Sequence, residues 1–160
     1  MDIKIIAVGK LKERFWKDAC AEYAKRLTRY VKLEVIEVDD CGPARHGGDE
    51  KAKAAEAEAI LRHLPAGKAA GRHIVTLEIK GRELTSEQLA SFVEDRGIEG
   101  CRELVFIIGG STGLDPSITR MANTHLSFGK ITLPHNLARF VLLEQLYRAQ
   151  RIIKGEPYHK

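Results

Sequence analysis

β-rich runs alternate with helix-periodic segments from one end of this chain to the other, and no other property of the sequence restricts the fold as much. Ile3 to Val8 is a run of strand formers. After it Phe15, Trp16, Ala19, Cys20, Tyr23, Leu27 and Tyr30 recur at three- and four-residue spacing, the mark of an amphipathic helix. Leu33 to Val38 returns to strand. From Asp39 to Gly48 charge, Pro43 and three glycines predict a mobile loop. An Ala/Glu/Lys-rich helix is expected from Asp49 to Leu64, stopped by Pro65, and a strand from His73 to Ile79. Thr85 and Gln88 form a capping box that opens the next helix. Leu104 to Ile108 is strand. Asp115 with Pro116 caps a short helix reaching about Ala122, Lys130 to Leu133 is read as the last strand, and Asn136 to Ile153 as the last helix.

Strands separated by helices imply an α/β fold, a largely parallel sheet covered on both faces. The 160 residues suit one domain, 1–160, with a substantial core. Ligands in such sheets bind at the carboxyl ends of the strands. Leu77 to Gly81, Ile108 to Gly113 and Leu133 to His135 are therefore expected to gather into one pocket. The final helix is apolar nearly all round (Leu137, Phe140, Val141, Leu142, Leu143, Leu146, Tyr147, Ile152, Ile153), which predicts a partner subunit over the part the sheet cannot cover.

Cys20, Cys41 and Cys101 are odd in number and far apart, without zinc spacing, so neither a disulfide framework nor a metal site is expected. No apolar run reaches membrane-spanning length and no signal peptide precedes the first strand, which predicts a cytoplasmic protein. The formal charge is only +4, but from His135 onward five cations (Arg139, Arg148, Arg151, Lys154, Lys160) face two acids, Glu144 and Glu156. That tail is either an electropositive surface or a solvated helix face.

Gly109-Gly110-Ser111-Thr112-Gly113 follows a buried strand and lets backbone approach a ligand closely, as a nucleotide-like cofactor would require. It is neither GxGxxG nor a P-loop, and a tight strand-to-helix turn explains it equally well. His135 is a ligand, a base or a capping residue.

Taken in order, Ile5 to Lys10, Thr76-Leu77-Glu78, Phe106 to Leu114, Leu126-Ser127-Phe128, Ile131 to His135, Glu144 to Ala149 and Tyr158-His159-Lys160 resemble one family. It is that of the bacterial ribosomal RNA large subunit methyltransferases H, of the SPOUT class. The likeness runs over essentially the whole chain. The resemblance implies S-adenosylmethionine as methyl donor, no metal, and methylation of ring nitrogen N3 of a pseudouridine in helix 69 of large-subunit rRNA within the ribosome. It also implies a homodimer and a C-terminal trefoil knot, which sequence physics would not suggest. Carried over, the cofactor site comprises Leu77, Gly109, Phe128, Gly129, Lys130, Ile131, Thr132 and Leu133. Arg148, Tyr158 and His159 are the catalytic candidates: His159 or Tyr158 to assist proton removal, Arg148 to stabilise oxygen anion on the base. Two other readings stand beside this one, a non-catalytic RNA-binding protein and a SPOUT enzyme with a different RNA target.

Overall fold

The computed structural model describes residues 1–64 and 71–158. Strands β1 (Asp2–Val8), β2 (Leu33–Val38), β3 (Arg72–Glu83), β4 (Glu103–Ile108) and β5 (Thr124–Ser127) form one sheet in the order β2-β1-β4-β3-β5. Every pairing is parallel. Helices α1 (Arg14–Leu27), α2 (Pro43–His46), α3 (Asp49–Leu61), α4 (Ser86–Ile98), α5 (Pro116–Met121) and α6 (His135–Ile153) connect the strands and cover both faces.

The central strands are apolar on both sides because both sides are covered. Ile3, Ile5, Leu104 and Phe106 pack against α1, α4 and α6. Ile6, Val105 and Ile107 face the opposite layer, where Ile60 of α3 and Ile118 of α5 close the core. The expected caps are present. The Thr85 hydroxyl accepts from Gln88 N at 3.2 Å while the Gln88 side chain accepts from Thr85 N at 2.9 Å, and Asp115 accepts from Ser117 N at 2.8 Å.

Three expectations need correction. Lys130 to Leu133 is not a strand: β5 ends at Ser127, and Gly129, at φ +111°, turns the chain away from the sheet. Its Ile and Thr residues have β propensity but no neighbouring strand to pair with, and Ile131 is 79% exposed. The Asp39–Gly48 segment is not all loop, since α2 forms one turn closed by left-handed Gly47, and Cys41 N donates to Glu56 of α3 at 3.0 Å. The apolar girth of α6 does not by itself demand a second subunit. The helix lies between α1 and α4 over the sheet, and no residue from His135 to Ile153 is more than partly exposed. The Pro65 stop lies outside the described residues.

β3 and β5 pair unevenly. Leu77 and Arg82 both register against Leu126, so residues 78–81 bulge out of the ladder. Gly81 makes this possible: a Cβ there would lie 2.5 Å from the carbonyl carbon of Leu126.

Candidate functional site

The bulge of β3, the carboxyl end of β4, the segment after β5 and the first turn of α6 enclose a cavity of about 1000 Å³. Leu77, Gly109, Phe128, Gly129, Ile131, Thr132 and Leu133 all line it; Lys130 lies exposed outside the lining. The segments 77–80, 108–113 and 133–135 do gather into one pocket, but only the second is a strand end: the first is the bulge within β3 and the third is the irregular lead into α6. Glu78 and Lys80 of the bulge line the cavity as part of the expected 77–81 segment, and Lys53 of α3 and Thr119 of α5, which no pattern in the sequence points to, line it as well.

Backbone geometry shapes this site. Gly110 and Gly113 form an isolated bridge, with Gly113 N donating to Gly110 O at 3.1 Å and Gly113 at φ +84°. A Cβ on Gly109 would meet the Gly113 carbonyl carbon and Leu114 Cγ, both at 3.0 Å, so a side chain there would require the turn to give by a few tenths of an ångström. Ser127 fixes the other wall. Its hydroxyl accepts from Gly129 N at 3.1 Å and lies 3.0 Å from the Ile79 carbonyl, tying the post-β5 segment to the bulge. Burial would push the Glu56 carboxyl up, and it does stand above the usual range although Cys41 N donates to it; it sits directly behind Gly110.

His135, the first residue of α6, packs its ring on Gly9 at the end of β1, where a Cβ would come within 2.9 Å of Nε2. One turn on, Arg139 is 1% exposed; it donates to Gly9 O at 2.6 Å and pairs with Glu37 of β2. Burial would raise the Glu37 carboxyl, but Arg139 and the Leu11 amide outweigh it and hold the group below the usual carboxylate range. Arg139 is thus an internal tie and not part of an electropositive tail. An isolated cation between Leu137-Ala138 and Phe140-Val141-Leu142-Leu143 was the available signal.

A second cluster forms at the other end of α6. The Arg148 guanidinium donates to Glu144 Oε1 through Nη2 at 2.6 Å and Nε at 3.1 Å, and lies 4.8 Å above the Tyr158 ring. The Tyr158 hydroxyl donates to the same Glu144 oxygen at 3.1 Å and lies 3.3 Å from that of Tyr23. Burial, with Tyr23 and Glu144 alongside, pushes the Tyr158 phenol well above its ordinary value, so it stays protonated. Tyr30 donates to Glu156 at 2.6 Å and Arg151 pairs with Glu156 at 2.7 Å, holding the tail against α1 and α6. Arg148 and Tyr158 therefore meet on Glu144, while His159 and Lys160 lie outside the described residues. This cluster is remote from the cavity. His135 and Arg148 are thirteen positions apart, about 20 Å along α6.

No group of three or more His, Cys, Asp or Glu among the described residues could hold a metal ion, and no described helix is long and apolar enough to cross a membrane.

A model of the family described as "Predicted SPOUT methyltransferase" matches residues 1–159. The chain is 50% identical over 163 aligned positions to the ribosomal RNA large subunit methyltransferase H of Bifidobacterium animalis subsp. lactis, and 45% over 164 positions to that of Carboxydothermus hydrogenoformans, in each case covering all of both chains. Among solved structures it resembles a probable methylase family protein from Haemophilus influenzae, with a TM-score of 0.52 at 14% identity, covering 99% of this chain and 70% of the other. That last likeness concerns the fold alone.

Proposed function

The chain belongs to the SPOUT methyltransferase family, and from that premise we propose that it methylates ring nitrogen N3 of a pseudouridine in helix 69 of large-subunit rRNA, using S-adenosylmethionine. The observation that carries this reading is the cavity between the β3 bulge, the end of β4 and the segment after β5. It combines a glycine turn packed closely around Gly109 with apolar walls from Leu77, Phe128, Ile131 and Leu133. Its volume and its mixture of apolar surface with backbone donors fit a nucleoside-sized donor. Gly109, Leu77 and residues 128–133 would hold that donor, with Lys130 at the rim. When bound, the donor supplies a methyl group on a sulfonium that departs neutral, so no metal is required.

The acceptor N3–H is only weakly acidic, and its proton has to be removed or shared while nitrogen and methyl carbon are held in line. Arg148 stabilises the oxygen anion that develops on the base, a contribution of about 2–4 kcal/mol by comparison with removal of similar stabilisers. Tyr158, held protonated, acts as a hydrogen-bond donor or stacking surface, which leaves proton removal to His159.

The separation of cavity and tail along α6 supports a site shared between two subunits, the tail of one completing the donor cavity of the other in a homodimer. The same reading carries a C-terminal trefoil knot, action on assembled ribosomes and residence in the cytoplasm. Mixing tests the sharing. Co-expressing a subunit defective at Gly109 with one lacking residues 158–160 restores activity if sites are shared, and restores none if each chain builds its own.

The decisive experiment incubates the purified protein and labelled S-adenosylmethionine with ribosomes lacking helix 69 methylation, followed by mass-spectrometric mapping. A methyl group on the helix 69 pseudouridine is the expected result. Transfer to a different nucleotide refutes the target, and absence of donor binding refutes the enzymatic reading altogether.

A further inference from the structure

Among the described residues that line the cavity, Glu78 is the sole acid. It opens the bulge between β3 and β5, and its position is fixed from behind. Its Oε1 accepts from the Thr76 hydroxyl at 2.5 Å and from His125 Nδ1 at 2.7 Å, with the Thr76 oxygen itself 2.9 Å from His125 Nδ1. Thr76 is fully buried, so the tie has a rigid base, while the Glu78 side chain keeps 27% of its surface. Its second oxygen has no partner among the described residues. A carboxylate oriented by two donors, with one oxygen left over at a cavity wall, is an acceptor without a ligand.

Resting on the donor reading of the cavity, we infer that Glu78 accepts hydrogen bonds from the ribose hydroxyls of the bound methyl donor and sets specificity for the ribonucleoside. Three parts of the donor could face this carboxylate. Next to the sulfonium it would stabilise a cation that vanishes in the transition state, which works against the rate. The amino group is the second possibility, but two donors already draw on Glu78, and a neutral diol needs less residual charge than an ammonium. The diol supplies two O–H donors, and hydrogen bonds from neutral hydroxyls to a carboxylate are short and strong. Acids at the carboxyl ends of strands serve ribose in the same way in dinucleotide-binding sheets. Lys53 and Lys80, also at the cavity wall, suit the donor's own carboxylate.

Calorimetry tests this without any turnover. The probes are S-adenosylhomocysteine, its 2′-deoxy and 3′-deoxy counterparts, and the counterpart lacking the amino group, titrated into native protein, Glu78→Gln and His125→Ala. Native protein is expected to bind at least one deoxy compound roughly ten- to a hundredfold more weakly than the parent. Glu78→Gln binds the parent more weakly by a similar factor and no longer distinguishes it from that deoxy compound. His125→Ala, which loosens the carboxylate without removing it, weakens the parent less and keeps part of the discrimination. The inference is overturned if Glu78→Gln discriminates as the native protein does, or if the discrimination it loses is against the compound without the amino group. Native protein that binds none of the four compounds refutes the donor reading of the cavity, a different failure from either of these.

Discussion

At its amino end α6 borders a site made largely of backbone, whereas at its carboxyl end it borders one made of side chains. The cavity depends on Gly81 and Gly129 lying where a Cβ atom or an ordinary φ angle does not fit, on the close turn at Gly109, and on one serine hydroxyl joining two loops. The tail cluster depends on Glu144 receiving donors from both Arg148 and Tyr158, with Tyr23 and Tyr147 packed around them. A backbone site is damaged by added atoms and a side-chain site by removed ones. The two ends therefore differ in the kind of substitution each tolerates.

The largest effect is expected where the cavity end is tied to the core. Arg139→Ala strips a buried cation from the Gly9 carbonyl and from the part-exposed Glu37, and should cost about 2–4 kcal/mol of stability. Denaturant unfolding measures it. A cost below about 1 kcal/mol would mean that the backbone site stands without its side-chain tie. Next comes Arg148→Ala, expected to lower single-turnover methyl transfer about 10²- to 10³-fold with donor binding unchanged. If calorimetry shows donor affinity falling in step, the two ends of α6 are not separate sites. Gly81→Ala sets a methyl group against the Leu126 backbone and should cost about 1–3 kcal/mol, with donor affinity falling as well, because the bulge cannot seat.

The smallest effect belongs to the tail. Tyr158→Phe removes one hydrogen bond to Glu144, worth about 1 kcal/mol. Its signature is the pH dependence. The phenol is held protonated in the folded protein, so its contribution is complete below the ordinary tyrosine value of 10.0 and is lost as pH rises beyond it. Stability of the native protein should fall above that pH, and less so in Tyr158→Phe. Equal alkaline slopes in the two proteins would show that Tyr158 is not held as described.

Much of the fold is readable from periodicity and caps. The parallel sheet follows from alternation, and the helix starts at Thr85 and Asp115 follow from side chains that bond to neighbours two or three residues away. Such local chemistry needs no knowledge of the rest of the chain. The segment 130–133 misled because Ile131 and Thr132 have strand propensity, whereas strand formation depends on a partner with a free edge. The Thr76, Glu78 and His125 cluster was invisible for a related reason: it joins residues 47 and 49 positions apart, and only the pairing of β3 with β5 brings them together. Leu77, Gly109 and, apart from Lys130, the 128–133 run line one cavity; the strand-end rule points to the first two and the family likeness to all of them. The distance from Arg148 to that edge required the length of α6.

The place of α6 in the core also has a consequence for the order in which the protein can fold. Leu142, Leu143, Leu146 and Ala149 are fully buried, and the first three complete the layer that covers Ile3, Ile5, Leu104 and Phe106. As the chain grows during synthesis, one face of the sheet lacks this cover until the last helix has emerged, and the tie from Arg139 to Gly9 spans 130 residues. Contacts of such long range slow folding and leave apolar surface exposed while they are awaited. A nascent chain halted before α6 would hold a sheet covered on that side only by α1 and α4, suited to a chaperone or to aggregation, and the native core would close only once α6 has been made.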